Sequence, residues 1–356
     1  MEILITEEPK VIMSNPQSKH NYFAWPTATL LQNGKIMVGA SGFRIEHICP
    51  FGKAVASYSS DNGKTYTLPV PVIDTPLDDR DAGICTFGKS GVIFTSFNNS
   101  AKMQREHNKE NEYAQKYIDT ITEKDEEKYL GSLFRISYDS GATFGEIFHS
   151  PVSSPHGPTE LKNGTVLWAG NNFNDYNSGI EIQSIDVKTG ACEFIGKIVL
   201  ENAEIVLCEP YMLELDNGDL LCLIRGEDSE ENDTIFTLFQ SISSDKGRTW
   251  STPEMILDET GGAPPHIIRL SSGKLLCTYG RRTLPYGIMA MISSDNGKTW
   301  EKDLRLYENF VSDDIGYPST VELEDGTLLT VFYAKENDEN DPCVIMQIKW
   351  KIKTDG

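Results

Sequence analysis

The sequence predicts an all-β fold: a six-bladed β-propeller of four-stranded antiparallel blades, with a helical insertion on blade two. Two repeats predict it. An octapeptide of the form S-x-D-x-G-x-T-aromatic occurs four times, as SSDNGKTY (59–66), SYDSGATF (137–144), SSDKGRTW (243–250) and SSDNGKTW (293–300). A quieter repeat sets short apolar runs on either side of a glycine turn, with turn glycines Gly34, Gly91, Gly164, Gly218, Gly273 and Gly326. Repetition at a fixed period marks a fold built from stacked copies of one unit.

Each repeat has a local physical reading. In the octapeptide the Asp carboxylate accepts bonds from the backbone N–H groups that follow it. Its Gly supplies a left-handed backbone, and the aromatic packs beneath. That is turn chemistry, and no reactive group is needed to explain it. In the second repeat, stretches such as LELDNGDLLCL and VELEDGTLLTV read as hairpins, because N-G and D-G between β-type runs favour tight turns. Six hairpins, each followed by room for two more strands, give six blades. The octapeptides then fall between the third and fourth strands of their blades.

The widest gap between turn glycines holds AKMQREHNKENEYAQKYIDTITEKDEEKYLG (101–131), charged and helix-favouring, which reads as the insertion. No linker or low-complexity stretch divides residues 1–356, so one domain is expected. Ring closure should pair the N-terminal EILITEEPKVIM with CVIMQIKWKI near the other end.

Composition narrows the partners. A formal charge of −21 argues against nucleic acid or an anionic membrane. No apolar run reaches the roughly eighteen residues of a spanning helix. The first residues lack the basic start of a secretory leader, so a cytoplasmic protein is expected. The seven cysteines are odd in number, and several lie in apolar strand-like runs, which suits reduced, buried thiols. The histidines show no metal-ligand spacing, and no cofactor is expected. Nothing in the sequence signals an oligomeric state.

In an antiparallel hairpin the start of strand one lies beside the end of strand two. Across six blades this gathers Trp25, Arg80, Asp81, His156, Glu209, His266 and Tyr317 with Arg44, Asn98, Asn171, Arg225, Arg281, Arg282 and Tyr333 at one mouth. Arginines at equivalent offsets suit a fork for a carboxylate. A Tyr beside a carboxylate can lose its proton and attack, or can simply be a hydrogen-bonded structural residue. His47 and His156 read equally well as acid/base groups or as satisfied polar residues.

With these residues in view, the chain resembles the sialidase (neuraminidase) superfamily of six-bladed propellers, over essentially its whole length. The octapeptides are its Asp boxes. More specific is the order CEPYMLELDNGDLLCLIR, LLCTYGRR and DDIGYPSTVELEDGTLLTVFY. The resemblance implies a glycoside hydrolase in which Tyr317 is the nucleophile and Glu209 activates it. Arg225 and Arg281, or Arg282 in its place, would grip a substrate carboxylate, with Arg44 as an accessory. Two departures are visible. Ala24, in FAWP, stands where the first of three family arginines belongs, and Pro50, in RIEHICPFGK, stands at the spacing of the acid/base Asp. Glu46, His47, Asp81 or His156 can supply the proton, and Lys53 or Arg80 the missing cation. The expected activity is exo-acting hydrolysis of a sialic or other acidic sugar on a small oligosaccharide. The alternatives are a divergent glycosidase or uronate lyase on the same scaffold, or a non-catalytic carbohydrate-binding propeller.

Overall fold

A computed structural model describes residues 2–202, 204–228, 236–258 and 264–353. Six antiparallel sheets follow one another along the chain. Blade one runs Tyr22–Leu30, Ile36–Arg44, Lys53–Ser59, Val70–Ile73, and blades four and five repeat that simple order. In blades two and three the first strand is split in two, as Asp78–Arg80 with Ile84–Phe87 and Val152–Ser153 with Thr159–Glu160. Blade six takes three strands from residues 316–352 and its fourth from Ile3–Met13, which pairs antiparallel with Cys343–Ile352. That pairing is the one expected from the apolar runs at the two ends.

First strands of neighbouring blades touch all round the ring, directly or through the second strand. They therefore line the centre. The apolar core lies between blades rather than within them, in six clusters that each join two neighbours. This follows from sheet chemistry: a blade buried on both faces needs a neighbour on each.

The two repeats take up different jobs. Five hairpin glycines, Gly34, Gly164, Gly218, Gly273 and Gly326, have φ between 74° and 87°. The sixth hairpin departs from the pattern: Gly88 is left-handed there (φ 55°), and Gly91 begins the next strand against the Phe87 ring. In each octapeptide the Asp accepts from the Thr backbone and hydroxyl four residues on, while the Ser hydroxyl accepts from the Gly N–H. The closing aromatic leans on the preceding blade. Tyr66 of blade one donates to Gln347 of blade six (2.7 Å), and Trp300 of blade five to Gln240 of blade four (3.1 Å). The octapeptide is a wedge between blades.

Three short helices, Ala101–His107, Glu112–Ile118 and Glu123–Tyr129, lie between the second and third strands of blade two. Ser100, Asn111 and Thr122 cap them by accepting backbone bonds. Asn98 ties down the segment's far end, donating to the Tyr129 carbonyl and accepting from Gly131 N–H. Tyr113 stacks on Phe51, so the helices cover the blade-one loop that carries Glu46 and His47. Among the described residues no helix is long and apolar enough to cross a membrane.

Candidate active site

One backbone device aims the central side chains. In blades one, four and six the first strand uses three residues where its partner uses two: Ala24 to Thr27, Cys208 to Tyr211, Gly316 to Ser319. Blade two also carries one extra residue at its break, where Arg80 to Ile84 spans four positions against three from Phe97 to Phe94. The extra residue is left-handed each time: Trp25 (φ 55°), Asp81 (φ 50°), Glu209 (φ 49°) and Tyr317 (φ 50°). Non-glycine residues carry a steric cost there, which the surrounding sheet must hold in place. A bulge re-aims its side chain out of the strand's alternation. Pro26, Pro210 and Pro318 follow three of the four, and a residue without an N–H loses no ladder bond at the break. Blade three uses Gly157 (φ 80°) for a similar turn, next to His156.

These bulges bring Glu209, Tyr317 and Asp81 into one electrostatic group. The Tyr317 hydroxyl donates to Glu209 Oε1. Arg225 Nη1 holds the other oxygen, Oε2, at 2.6 Å, and its Nη2 holds Glu227 at 2.7 Å. Burial and then the Glu209 charge push the Tyr317 phenol well above its ordinary pKa, so it rests protonated. Burial raises the Asp81 carboxyl to about 7, with Glu209 adding to the rise and Arg80 opposing it. Arg282 donates to the Ile315 carbonyl (2.9 Å) and the Tyr333 hydroxyl (2.7 Å), and its guanidinium lies 5.8 Å from the Tyr317 ring centre. It has no carboxylate partner among the described residues.

Other expected site residues fall elsewhere. Arg44 is fully buried and grips Asp78 with both terminal nitrogens (2.5 and 3.2 Å), so its charge is balanced inside the fold. Gln104 of the first helix donates to the same Asp78 (2.6 Å). Arg281 points the other way from Arg282, pairing with Glu308 at 2.5 Å on the blade's outer strand. His156 and His266 sit below the mouth, packed in the channel with Tyr211. Thr27 contacts the His156 ring and the Thr320 N–H donates to His266. Burial lowers both imidazole pKa values, that of His266 to about 3, so both rest neutral.

Arg80 and His47 border the mouth. Arg80 lies 4.0 Å from the Trp25 ring centre and donates to the His47 carbonyl at 2.8 Å. His47 Nδ1 meets Asp314 at 3.3 Å and Tyr22 at 3.1 Å, while its ring packs edge-on to Trp25. With Glu46, His47 lines a separate open cleft of about 650 Å³ toward blade six. Ala24 is fully buried. Among the described residues no group of three or more His, Cys, Asp or Glu is placed to hold a metal ion.

Four contributors have no role in the sequence reading. Glu227 had a usable signal, since two residues after Arg225 on one strand puts both on the same face. Asp314 sits in the quoted DDIGYP stretch but carries no pattern of its own. Trp25 and Tyr333, expected at the mouth without a task, form the aromatic wall between Tyr317 and His47.

Comparison with known proteins agrees with this architecture. No curated protein sequence matches the chain. Among solved structures it is similar to a protein of unknown function from Dyadobacter fermentans (TM-score 0.77, 20% identity, covering 99% of each chain). It is also similar to the intramolecular trans-sialidase of Ruminococcus gnavus, with TM-score 0.68 and 12% identity over 96% of this chain and 97% of that one. An alpha-L-arabinanase from Penicillium chrysogenum aligns at TM-score 0.61 and 13% identity, over 98% of each chain. At these identities the likeness is one of fold. The model of the BNR repeat-like domain matches residues 136–330, more than half of the sequence, and the chain therefore belongs to the BNR repeat-like domain family.

Proposed function

We propose that the protein is a sialidase-like, exo-acting glycoside hydrolase that removes an acidic sugar from a small oligosaccharide. One observation carries the reading: the Tyr317 hydroxyl is hydrogen-bonded to a glutamate whose second oxygen is fixed by Arg225. A phenol held against an oriented base is a nucleophile in waiting. An acidic sugar with its carboxylate on the anomeric carbon repels an Asp or Glu nucleophile, whereas a neutral Tyr escapes that repulsion.

The steps balance as follows. Asp81, whose raised pKa of about 7 leaves a protonated fraction at neutral pH, gives its proton to the leaving oxygen as the glycosidic bond breaks. The Tyr317 oxygen bonds to the anomeric carbon and passes its proton to Glu209. Water then attacks that carbon, losing a proton to the Asp81 carboxylate. The Tyr317 oxygen leaves and recovers its proton from Glu209. Arg225 keeps Glu209 in place, and Glu227 balances its charge. Arg282, with neutral hydrogen-bond partners, is the cation for the substrate carboxylate, and Arg80 on Trp25 is a second.

A non-catalytic carbohydrate-binding propeller is the second reading. It draws on the neutralisation of Arg44 and Arg225 by internal carboxylates and on the buried Ala24. Purified protein assayed on aryl sialosides, uronides and neutral glycosides separates the two. Turnover of an acidic glycoside, abolished by Tyr317→Phe, is expected. Binding without turnover on every sugar rejects the hydrolase. An unsaturated, ultraviolet-absorbing product from a uronide identifies a lyase instead.

A further inference from the structure

A second feature of the mouth points to what leaves. On the Asp81 side lies a cleft of about 300 Å³, bordered by Asp81, Glu209, Phe97, Asn171, Phe173 and Tyr176. Its volume is on the scale of a small-ligand pocket, enough for one sugar ring. Phe173 and Tyr176 belong to the rim of blade three, where the sequence reads NNFNDYNSG (171–179). Two aromatics among amides and a carboxylate match the two surfaces of a pyranose, an apolar C–H face and an edge of hydroxyls. Tyr176 is 46% exposed and borders the cleft, so its ring is accessible to a ligand there.

The rim is fixed rather than loose. The Phe173 N–H donates to the Pro151 carbonyl at 3.0 Å, and the Asn174 N–H to the Asn172 side chain at 2.9 Å. Asn171 is the joint. Its buried amide donates to the Tyr176 carbonyl (3.0 Å) and the Leu207 carbonyl (2.8 Å), while its oxygen accepts from the Glu209 N–H (3.2 Å). One side chain thus holds both the aromatic rim and the left-handed peptide that carries Glu209.

We propose that this cleft is the leaving-group subsite, and that Tyr176 with Phe173 selects a neutral pyranose there by stacking on its apolar face. The inference rests on the hydrolase reading for its orientation: the carboxyl that protonates the glycosidic oxygen must face the departing sugar, and Asp81 lines this cleft. Asn171 is a positioning residue that keeps rim and base in register.

The test has two arms. In the first, ligand-observed NMR follows methyl β-galactoside and lactose on wild-type protein, Tyr176→Ala, Tyr176→Phe and Tyr317→Phe. Saturation transfer to the neutral sugars is expected in wild type, Tyr176→Phe and Tyr317→Phe, and lost in Tyr176→Ala. Absence of binding to wild type, or equal binding to Tyr176→Ala, overturns the subsite. In the second arm, kcat/KM is compared for an acidic-sugar disaccharide and for the methyl glycoside of the same acidic sugar. Tyr176→Ala should lower the first by about tenfold or more, the change given by about 1.4 kcal/mol of lost contact, and lower the second by a clearly smaller factor. Equal loss on both substrates also overturns the proposal. Neutral-sugar binding that depends on Tyr176, in a protein that hydrolyses nothing, supports the subsite and counts against the hydrolase alone.

Discussion

Tyr317 and Glu209 lie 108 residues apart, on the inner strands of blades six and four, yet share one hydrogen bond across the mouth of the propeller. Two matching bulges make the meeting possible. If this pair is the reactive centre, Tyr317→Phe should lower kcat by about 10³-fold or more, and Glu209→Gln by about 10²–10⁴-fold. Steady-state kinetics on the best acidic glycoside measures both. Retained circular dichroism shows that the fold survives.

Asp81 makes activity and stability respond to pH in related ways. Its folded pKa is about 7, against about 3.9 in an unfolded chain. Between those values the folded protein holds the extra proton, so stability is greatest below about pH 4 and falls as pH rises toward 7 for this group. Under the proposed hydrolase that proton is the one the leaving oxygen takes, and kcat/KM should then fall on the alkaline side of about 7. Asp81→Asn should flatten that part of the stability profile in denaturant titrations and remove the alkaline limb of the rate.

Arg44 and Arg282 should separate cleanly. Arg44→Ala leaves the buried Asp78 carboxylate with Gln104, Asn99 and the more distant Arg80 (3.7 Å), and should cost about 3 kcal/mol of stability. Arg282→Ala should unfold little more easily than wild type but raise KM for acidic substrates by about tenfold or more, without a matching change for neutral ones. Thermal melts and substrate panels on the two variants decide the assignment.

The octapeptide aromatic should matter for stability alone. Trp300→Ala removes a wedge between blades four and five and should cost about 2 kcal/mol or more, with kcat unchanged. A loss of activity at temperatures where the variant is fully folded contradicts the wedge assignment.

Blade number and the closing strand were legible because they depend on short-range patterns: turn glycines, apolar runs and the Asp turns. The carboxylate partners of Arg44 and Arg281 were not, because they lie on other elements. Asp78 is 34 residues from Arg44, and no local pattern links them. Arg281 and Arg282 illustrate a second limit. Adjacent strand residues face opposite ways, so a position uncertain by one residue exchanges the site for the outer strand. His156 shows a third. At its blade Gly157, rather than the histidine, takes the left-handed position, and the imidazole drops into the channel.

The repeated one-residue bulge has a consequence for how such a scaffold acquires new chemistry. Blades one, two, four and six each present one protruding side chain at the mouth, at positions 25, 81, 209 and 317, while the hydrogen-bonded ladders on either side stay the same. Each position works as a socket. Under the proposed hydrolase these four positions hold an aromatic wall, an acid, a base and a nucleophile, so the chemistry of the mouth is set by one side chain per blade.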